Sequence, residues 1–160
     1  MTQRWPDLAG RLEPTTDGLQ HILPVRVYFE DTDFSGVVYH GSYVRWCERG
    51  RSDFLRLLGN NHGALLEDDE NNEAAAFVVR RMSLDFHRPA RIDNILEVCT
   101  RICEIRAASL TLDQEICDES GKVFDARVLV VLLGLSGKPQ RLSRRLRSAM
   151  SRAADSVATQ

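Results

Sequence analysis

The apolar residues of this chain change period once, and that change restricts the fold more than any other feature. From Ser42 onward, Tyr43, Trp46, Cys47, Gly50, Phe54, Leu57 and Leu58 recur at the spacing of one helix face. Ser42 is the expected N-cap and Gly59 the expected stop. Gly50 falls on the apolar face in mid-helix, where glycine costs about 1 kcal/mol against alanine. Close approach to whatever the helix packs on is the expected compensation. After "NHGALLEDDENNE", read as a loop with one helical turn, the period becomes two. Val78, Met82, Leu84 and Phe86 form one apolar set, and Ile92, Leu96, Val98 and Ile102 a second. Leu110, Leu112 and Ile116 form a third. "DESGK" reads as a hairpin turn with Gly121 at positive φ. Residues 128–133 are apolar on both sides, so that strand lies centrally or is covered by a partner subunit.

A strand over residues 23–29 precedes the helix, and a short helix over residues 142–149 ends the pattern. The expectation is an α+β fold: an antiparallel sheet of about five strands wrapped around one long central helix. The length of 160 residues suggests one domain, over residues 22–150. Residues 1–21, with Pro6, Gly10, Pro14 and Gly18, read as a flexible arm, and residues 151–160 as a disordered tail.

Composition removes several function classes. A net charge of −2 supplies no global field toward nucleic acid. The four cysteines form no C-x-x-C pair and lack a nearby histidine set, so no metal site is expected and free thiols in a reducing cytoplasm are. There is no signal-peptide h-region, and no apolar run nears the roughly 20 residues that span a bilayer. A soluble cytoplasmic protein without a cofactor is the expectation.

The chemistry concentrates in "VYFEDTDFSGVVYHGSYVRWCERGR". Glu30, Asp31 and Asp33 place three carboxylates just ahead of the helix, and His40 follows Asp33 by seven residues. A helix N-terminus carries unpartnered N–H groups with partial positive charge, which stabilise an anion or a developing oxyanion. Gly36 and Gly41 let backbone approach a ligand there. One carboxylate beside such an oxyanion hole suits acyl transfer on an activated ester. A thioester fits best, because its leaving group is the anion of a thiol with a pKa near 8.5. The competing reading is that the acidic residues only complement the helix dipole. There is no G-x-S-x-G elbow.

The run "VRVYFEDTDFSGVVYHGSYVRWCERGRSDFLR", with "FVVRRMSLDFHRPARIDNILEV" and "ARVLVVLLGL", resembles the hotdog-fold acyl-CoA thioesterases of the 4-hydroxybenzoyl-CoA thioesterase family. The closer resemblance is to its Tol–Pal-associated branch. It covers about residues 22–145 and implies a sheet wrapped around a helix, assembled as a homodimer or homotetramer. It implies Asp33 as catalytic carboxylate and His40 as a second catalytic residue, its N–H contributing to the oxyanion hole. Gly36, Tyr39 and Gly41 are the implied substrate-binding positions of the loop. Arg106 and Ser109, on the "EIRAAS" hairpin, match a region where some relatives hold CoA phosphates with consecutive basic residues; only Arg106 remains here. Phe29 stands where close relatives often carry tyrosine. Glu48 raises the alternative of a helix glutamate as used by another hotdog branch, although pairing with Arg45, Arg51 or Arg81 is the simpler role. The implied partner is acyl-CoA, with acyl carrier protein as a second candidate.

Two rival functions are retained. A hotdog hydratase or dehydratase would use a histidine and a carboxylate as proton carriers and release no thiol. A non-catalytic acyl-carrier or envelope-associated binding module would use the basic stretch "RLSRRLRSAM" for contact, unless that helix docks on its own subunit.

Overall fold

Strand pairing brings distant parts of the chain into one sheet. The computed structural model describes residues 10–59 and 74–154. The strands are β1 (Arg11–Thr15), β2 (Gly18–Arg26), β3 (Ala75–Phe86), β4 (Ile95–Ile105), β5 (Ser109–Asp118) and β6 (Gly121–Gly134). All pair antiparallel in the order β1-β2-β4-β5-β6-β3. The helices are α1 (His40–Leu57) and α2 (Arg144–Ala154). The expected α+β architecture is present, with six strands rather than about five.

The sixth strand comes from residues read as a loose arm. Pro14 sits in edge strand β1 opposite Leu19, where a missing N–H disrupts no ladder, and Gly18 makes the turn at φ +114°. Residues 1–9 and the "NHGALLEDDENNE" loop lie outside the described residues. At the other end α2 continues to Ala154, five residues past its expected stop; the remaining tail residues also lie outside. This helix buries Leu146, Ala149, Met150 and Ala153 against its own chain and turns its arginines outward. Arg147 donates to the Arg106 carbonyl at 2.8 Å.

β4 and β5 keep the expected period of two. Leu96, Val98, Thr100 and Ile102 are buried on one, and Leu110, Leu112, Gln114 and Ile116 on the other. Ile92 lies outside β4 and is exposed. In β3 the phase changes at a bulge between Val79 and Arg81. Before it, Phe77 and Val79 pair with Leu132 and Val130 on the inner face; after it, Met82, Leu84 and Phe86 take that face. Val78 therefore points outward, opposite to expectation, because the extra residue shifts the alternation by one. β6 lies between β5 and β3, next to the sheet edge.

α1 buries Tyr43, Trp46, Cys47, Gly50, Phe54 and Leu55 on the inner sheet face. The close approach expected at Gly50 is present. A Cβ there would lie 3.0 Å from Val98 Cγ1, 3.1 Å from Thr100 Oγ1 and 3.3 Å from Gln114 Nε2. Gln114 fills the space below. Its Nε2 donates to the Cys47 carbonyl and to Thr100 Oγ1, both at 2.9 Å, and its Oε1 accepts from Arg51 at 2.8 Å. Burial lowers the pKa of the Arg51 guanidinium.

A second polar cluster ties the β1–β2 hairpin to α1. Asp53 Oδ2 accepts from His21 Nε2 and from the Gly10 N–H, both at 2.6 Å, and Asp53 Oδ1 accepts from Arg56 at 2.9 Å. Burial alone would raise the Asp53 carboxyl, but the bonds from Arg56, His21 and Gly10 outweigh it and hold it below the usual range. Burial pushes His21 down despite that carboxylate. A neutral imidazole donating from Nε2 satisfies both tendencies and leaves Nδ1 buried without a partner.

Asp53→Ala should cost about 1–3 kcal/mol, because the buried His21 and the part-buried Gly10 N–H lose their acceptor. Folding stability of the intact protein should also fall as pH drops below about 6.5. The unfolded chain then protonates His21 while the folded one resists, so unfolding takes up a proton. Urea titrations between pH 5 and 8 check both, and a pH-independent difference between wild type and His21→Ala would refute the assignment.

Candidate active site

The strand expected to run to residue 29 ends at Arg26, and Phe29–Asp31 form a single 3-10 turn. The three carboxylates therefore separate by turn geometry rather than by strand alternation. Asp31 Oδ2 accepts the Tyr28 N–H at 2.9 Å, and the Asp31 carbonyl accepts the Tyr39 N–H at 2.8 Å. Asp31 is thus a fastener between the turn and the start of α1. Asp33 begins a tight loop. Its N–H donates to the Val37 carbonyl at 2.9 Å, and its carbonyl accepts the Gly36 N–H at 3.0 Å. Gly36 takes φ +80°, a conformation that favours glycine, with open space where a side chain would stand.

Asp33 is exposed, and its Oδ1 accepts from the Ser35 N–H at 2.8 Å and from Ser35 Oγ. These bonds, first the hydroxyl and then the amide, hold the Asp33 carboxyl below the usual range; nearby His40 adds a smaller pull the same way. Ser35 was not among the residues singled out. The D-x-S pattern of an Asx turn was the available signal.

The loop is fastened from the far side as well. The Val38 N–H donates to the Ala90 carbonyl at 2.9 Å, and the Ala90 N–H donates to Tyr43 Oη at 3.2 Å. α1 then starts at His40 with Tyr39 as N-cap and no side-chain cap. Ser42, the expected cap, is instead buried inside the first turn, its N–H donating to the Tyr39 carbonyl at 2.9 Å. The N–H groups of His40 and Gly41 precede the first helical acceptors, so they face outward as donors. The Tyr39 ring lies over this terminus, its centroid 4.3 Å from that of His40. A Cβ on Gly41 would come within 2.7 Å of that ring, which explains the glycine.

Asp33, Gly36, Tyr39, His40 and Gly41 thus share one site. Arg106 and Ser109 do not join it within one chain. The loop packs at the Phe86 end of the sheet, where Phe86 pairs with Phe124, whereas Ser109 pairs with Val131. Residues 124–131 of β6 separate the two ends by about 23 Å of strand. Arg106 is exposed and bonded to Glu104 at 2.9 Å. Glu48 lies about 12 Å along α1 from His40. It accepts from Ser52 Oγ at 2.6 Å, with none of the three expected arginines at bonding distance. Burial pushes the Cys47 and Cys99 thiols up to about 12 and Cys103 to about 11, leaving them unionised at neutral pH. Among the described residues no cluster of three or more His, Cys, Asp or Glu could hold a metal, and no helix is long and apolar enough to cross a membrane.

The chain as a whole is similar to known proteins. Residues 35–124 match the thioesterase superfamily. The chain is 45% identical over 121 residues to the acyl-CoA thioester hydrolase YbgC of Escherichia coli O157:H7, spanning 74% of this chain and 87% of that protein. It is 35% identical over 127 residues to the acyl-CoA thioesterase YbgC of Haemophilus influenzae, spanning 79% and 90%. A probable thioesterase from Bartonella henselae, solved by crystallography, superposes with a TM-score of 0.74 at 44% identity, covering 78% of this chain and 99% of that one. A 1,4-dihydroxy-2-naphthoyl-CoA thioesterase from Synechocystis shares the fold at 22% identity, with a TM-score of 0.73 over 82% and 96%.

Ser35→Ala should move the Asp33 carboxyl up toward the ordinary aspartate range. Carboxyl ¹³C titration by NMR reads it, and an unmoved Asp33 would exclude the Ser35 clamp.

Proposed function

This chain belongs to the thioesterase superfamily, and from that premise we propose that it hydrolyses acyl-CoA to a free acid and CoA at Asp33. What supports this reading is an ionised Asp33 carboxylate, held by Ser35 and near enough to His40 to feel its charge, on the loop that leads into the two outward N–H groups that open α1. In this reading the thioester carbonyl oxygen faces the N–H groups of His40 and Gly41. Those dipoles are aimed where negative charge develops. Asp33, its Oδ1 held by Ser35, directs Oδ2 at a water and takes its proton as the water oxygen bonds to the carbonyl carbon. The C–S bond then breaks, and the thiolate leaves and is protonated. His40 orients the thioester and carries protons away from Asp33. Gly36, Tyr39 and Gly41 shape the approach. A hydratase would release no thiol, so thiol release separates the two enzyme readings.

The unit we propose is a homodimer built on β3, in the cytoplasm. Twelve residues of β3 form a sheet edge with no strand beside it among the described residues, and Val78 and Phe86 are exposed on it. A second copy paired there would cover them. Arg106 and Ser109 would then serve a CoA held by the partner's loop. Four free cysteines agree with a reducing compartment. The arginine face of α2 suits an acidic partner such as acyl carrier protein.

Asp33→Ala should lower kcat by about 10²–10⁴-fold with native circular dichroism, while His40→Ala should cost less because its backbone N–H remains. Near-native turnover in Asp33→Ala would end the assignment and make Glu48 the residue to test. Single-turnover hydrolysis in ¹⁸O-water should label the product acid in the first turnover; label in Asp33 instead would make the carboxylate a nucleophile. Light scattering at micromolar concentration should give twice the chain mass, and a folded monomer would exclude the dimer.

A further inference from the structure

The inner face of α1 carries a feature that the Asp33 chemistry does not use. Between the second half of the helix and the sheet lies a cavity of about 130 Å³. Its walls are Phe54 and Leu55 of α1, Phe77 of β3, Leu112 of β5, Val130 of β6 and Met150 of α2. Its polar margin is Glu48, Arg51 and Ser52. Two contacts keep that margin in place. Gln114, fully buried, holds Arg51 at 2.8 Å, and Glu48 is turned back onto Ser52 at 2.6 Å. Val79, 46% exposed on edge strand β3, forms part of the rim. The pocket is open at that rim, and its mostly apolar walls and small volume suit a few aliphatic carbons.

Its position relative to the reacting end is set by the helix. His40, Val44, Glu48, Arg51 and Leu55 follow one another at intervals of three or four and lie on one stripe of α1. The stripe begins at the oxyanion donors and ends at the cavity. From His40 to Arg51 the helix rises about 16 Å. An extended chain of single bonds advances about 1.2 Å per bond, so about 13 bonds span that distance.

We propose that this cavity receives the end of a linear acyl chain of about 12–16 carbons, so that the length of α1 acts as the ruler for substrate choice. The proposal rests on the acyl-CoA reading of the Asp33 site and names the substrate class for it. A four-carbon acyl group held at the same carbonyl position stops far short of the cavity and gains nothing from its walls.

Two measurements on the full-length protein test this separately from the hydrolysis itself. The first is calorimetric binding of the non-hydrolysable thioethers S-tetradecyl-CoA and S-butyl-CoA, below micellar concentration. The second is kcat/KM over an acyl-CoA ladder from four to sixteen carbons. In wild type the tetradecyl thioether should bind at least about tenfold tighter than the butyl one, since several methylenes leave water. kcat/KM should peak at 12–16 carbons. Val79→Phe fills the cavity from its half-exposed rim and should lower the long-to-short ratio at least about tenfold in both measurements. Val79→Ala, which leaves the space open, should keep it. A kcat/KM maximum at four carbons, equal binding of the two thioethers, or an unchanged ratio in a folded Val79→Phe would overturn the ruler. If the thioethers keep their ratio while no acyl-CoA is hydrolysed, the cavity assignment stands and the hydrolase reading falls.

Discussion

A fully buried glutamine sets the height of the central helix. Gln114 rises from the middle of the sheet, bonds the Cys47 carbonyl and Thr100 Oγ1, and meets α1 where Gly50 leaves no side chain between them. An apolar residue at 114 would leave the Arg51 guanidinium without its acceptor. A side chain at 50 would push the helix off the sheet by a few tenths of an ångström or more. Everything carried by the ends of α1, with the donors at its start and the cavity along its second half, takes its position from this contact. The intrinsic cost of glycine in a helix is the smaller quantity, about 1 kcal/mol, against overpacking that costs about 1–3 kcal/mol.

The acidic loop shows how one cluster of like residues acquires different tasks. Asp31 spends its carboxylate on the Tyr28 N–H and its carbonyl on the Tyr39 N–H, which joins the turn to the helix start. Asp33 is left facing solvent with one oxygen clamped by Ser35. The clamp keeps the carboxylate ionised and oriented, and it lowers basicity to the same degree. A weak, well-placed base suits a reaction whose leaving group departs as a stable thiolate, provided that the helix donors carry the oxyanion. The proposed mechanism therefore leans on electrostatics from the backbone more than on proton affinity.

The sheet contributes through a single irregularity. The bulge between Val79 and Arg81 reverses which residues of β3 face inward. It brings Phe77 and Val79 into the cavity wall while leaving Phe86 under Tyr43, with ring centroids 5.7 Å apart, near His40 at the start of α1. Without the extra residue one of these two groups would face outward, because side chains alternate with a strict period of two.

Much of this was readable from residue order alone. The helix around Trp46 and Phe54, the period-two strands, the Gly121 turn and the Gly50 contact all follow from local patterns that tertiary packing respects. The resemblance singled out Asp33 and His40, and the fold places them at one junction. Other features depended on partners far away in the chain. Residues 11–15 became a strand only because residues 18–22 stand beside them, themselves anchored in the sheet where β2 pairs with β4, which propensity at Pro14 and Gly18 could not reveal. The β3 phase depended on a bulge that β6 imposes through register. Arg106 and Ser109 read as part of a CoA-phosphate region, and strand register sets them, within one chain, at the opposite end of the sheet from the Asp33 loop. Local sequence determined which elements form, since those are interactions over a few residues. Only the tertiary structure decided which ends meet, because strand register and helix direction turn separation along the chain into distance.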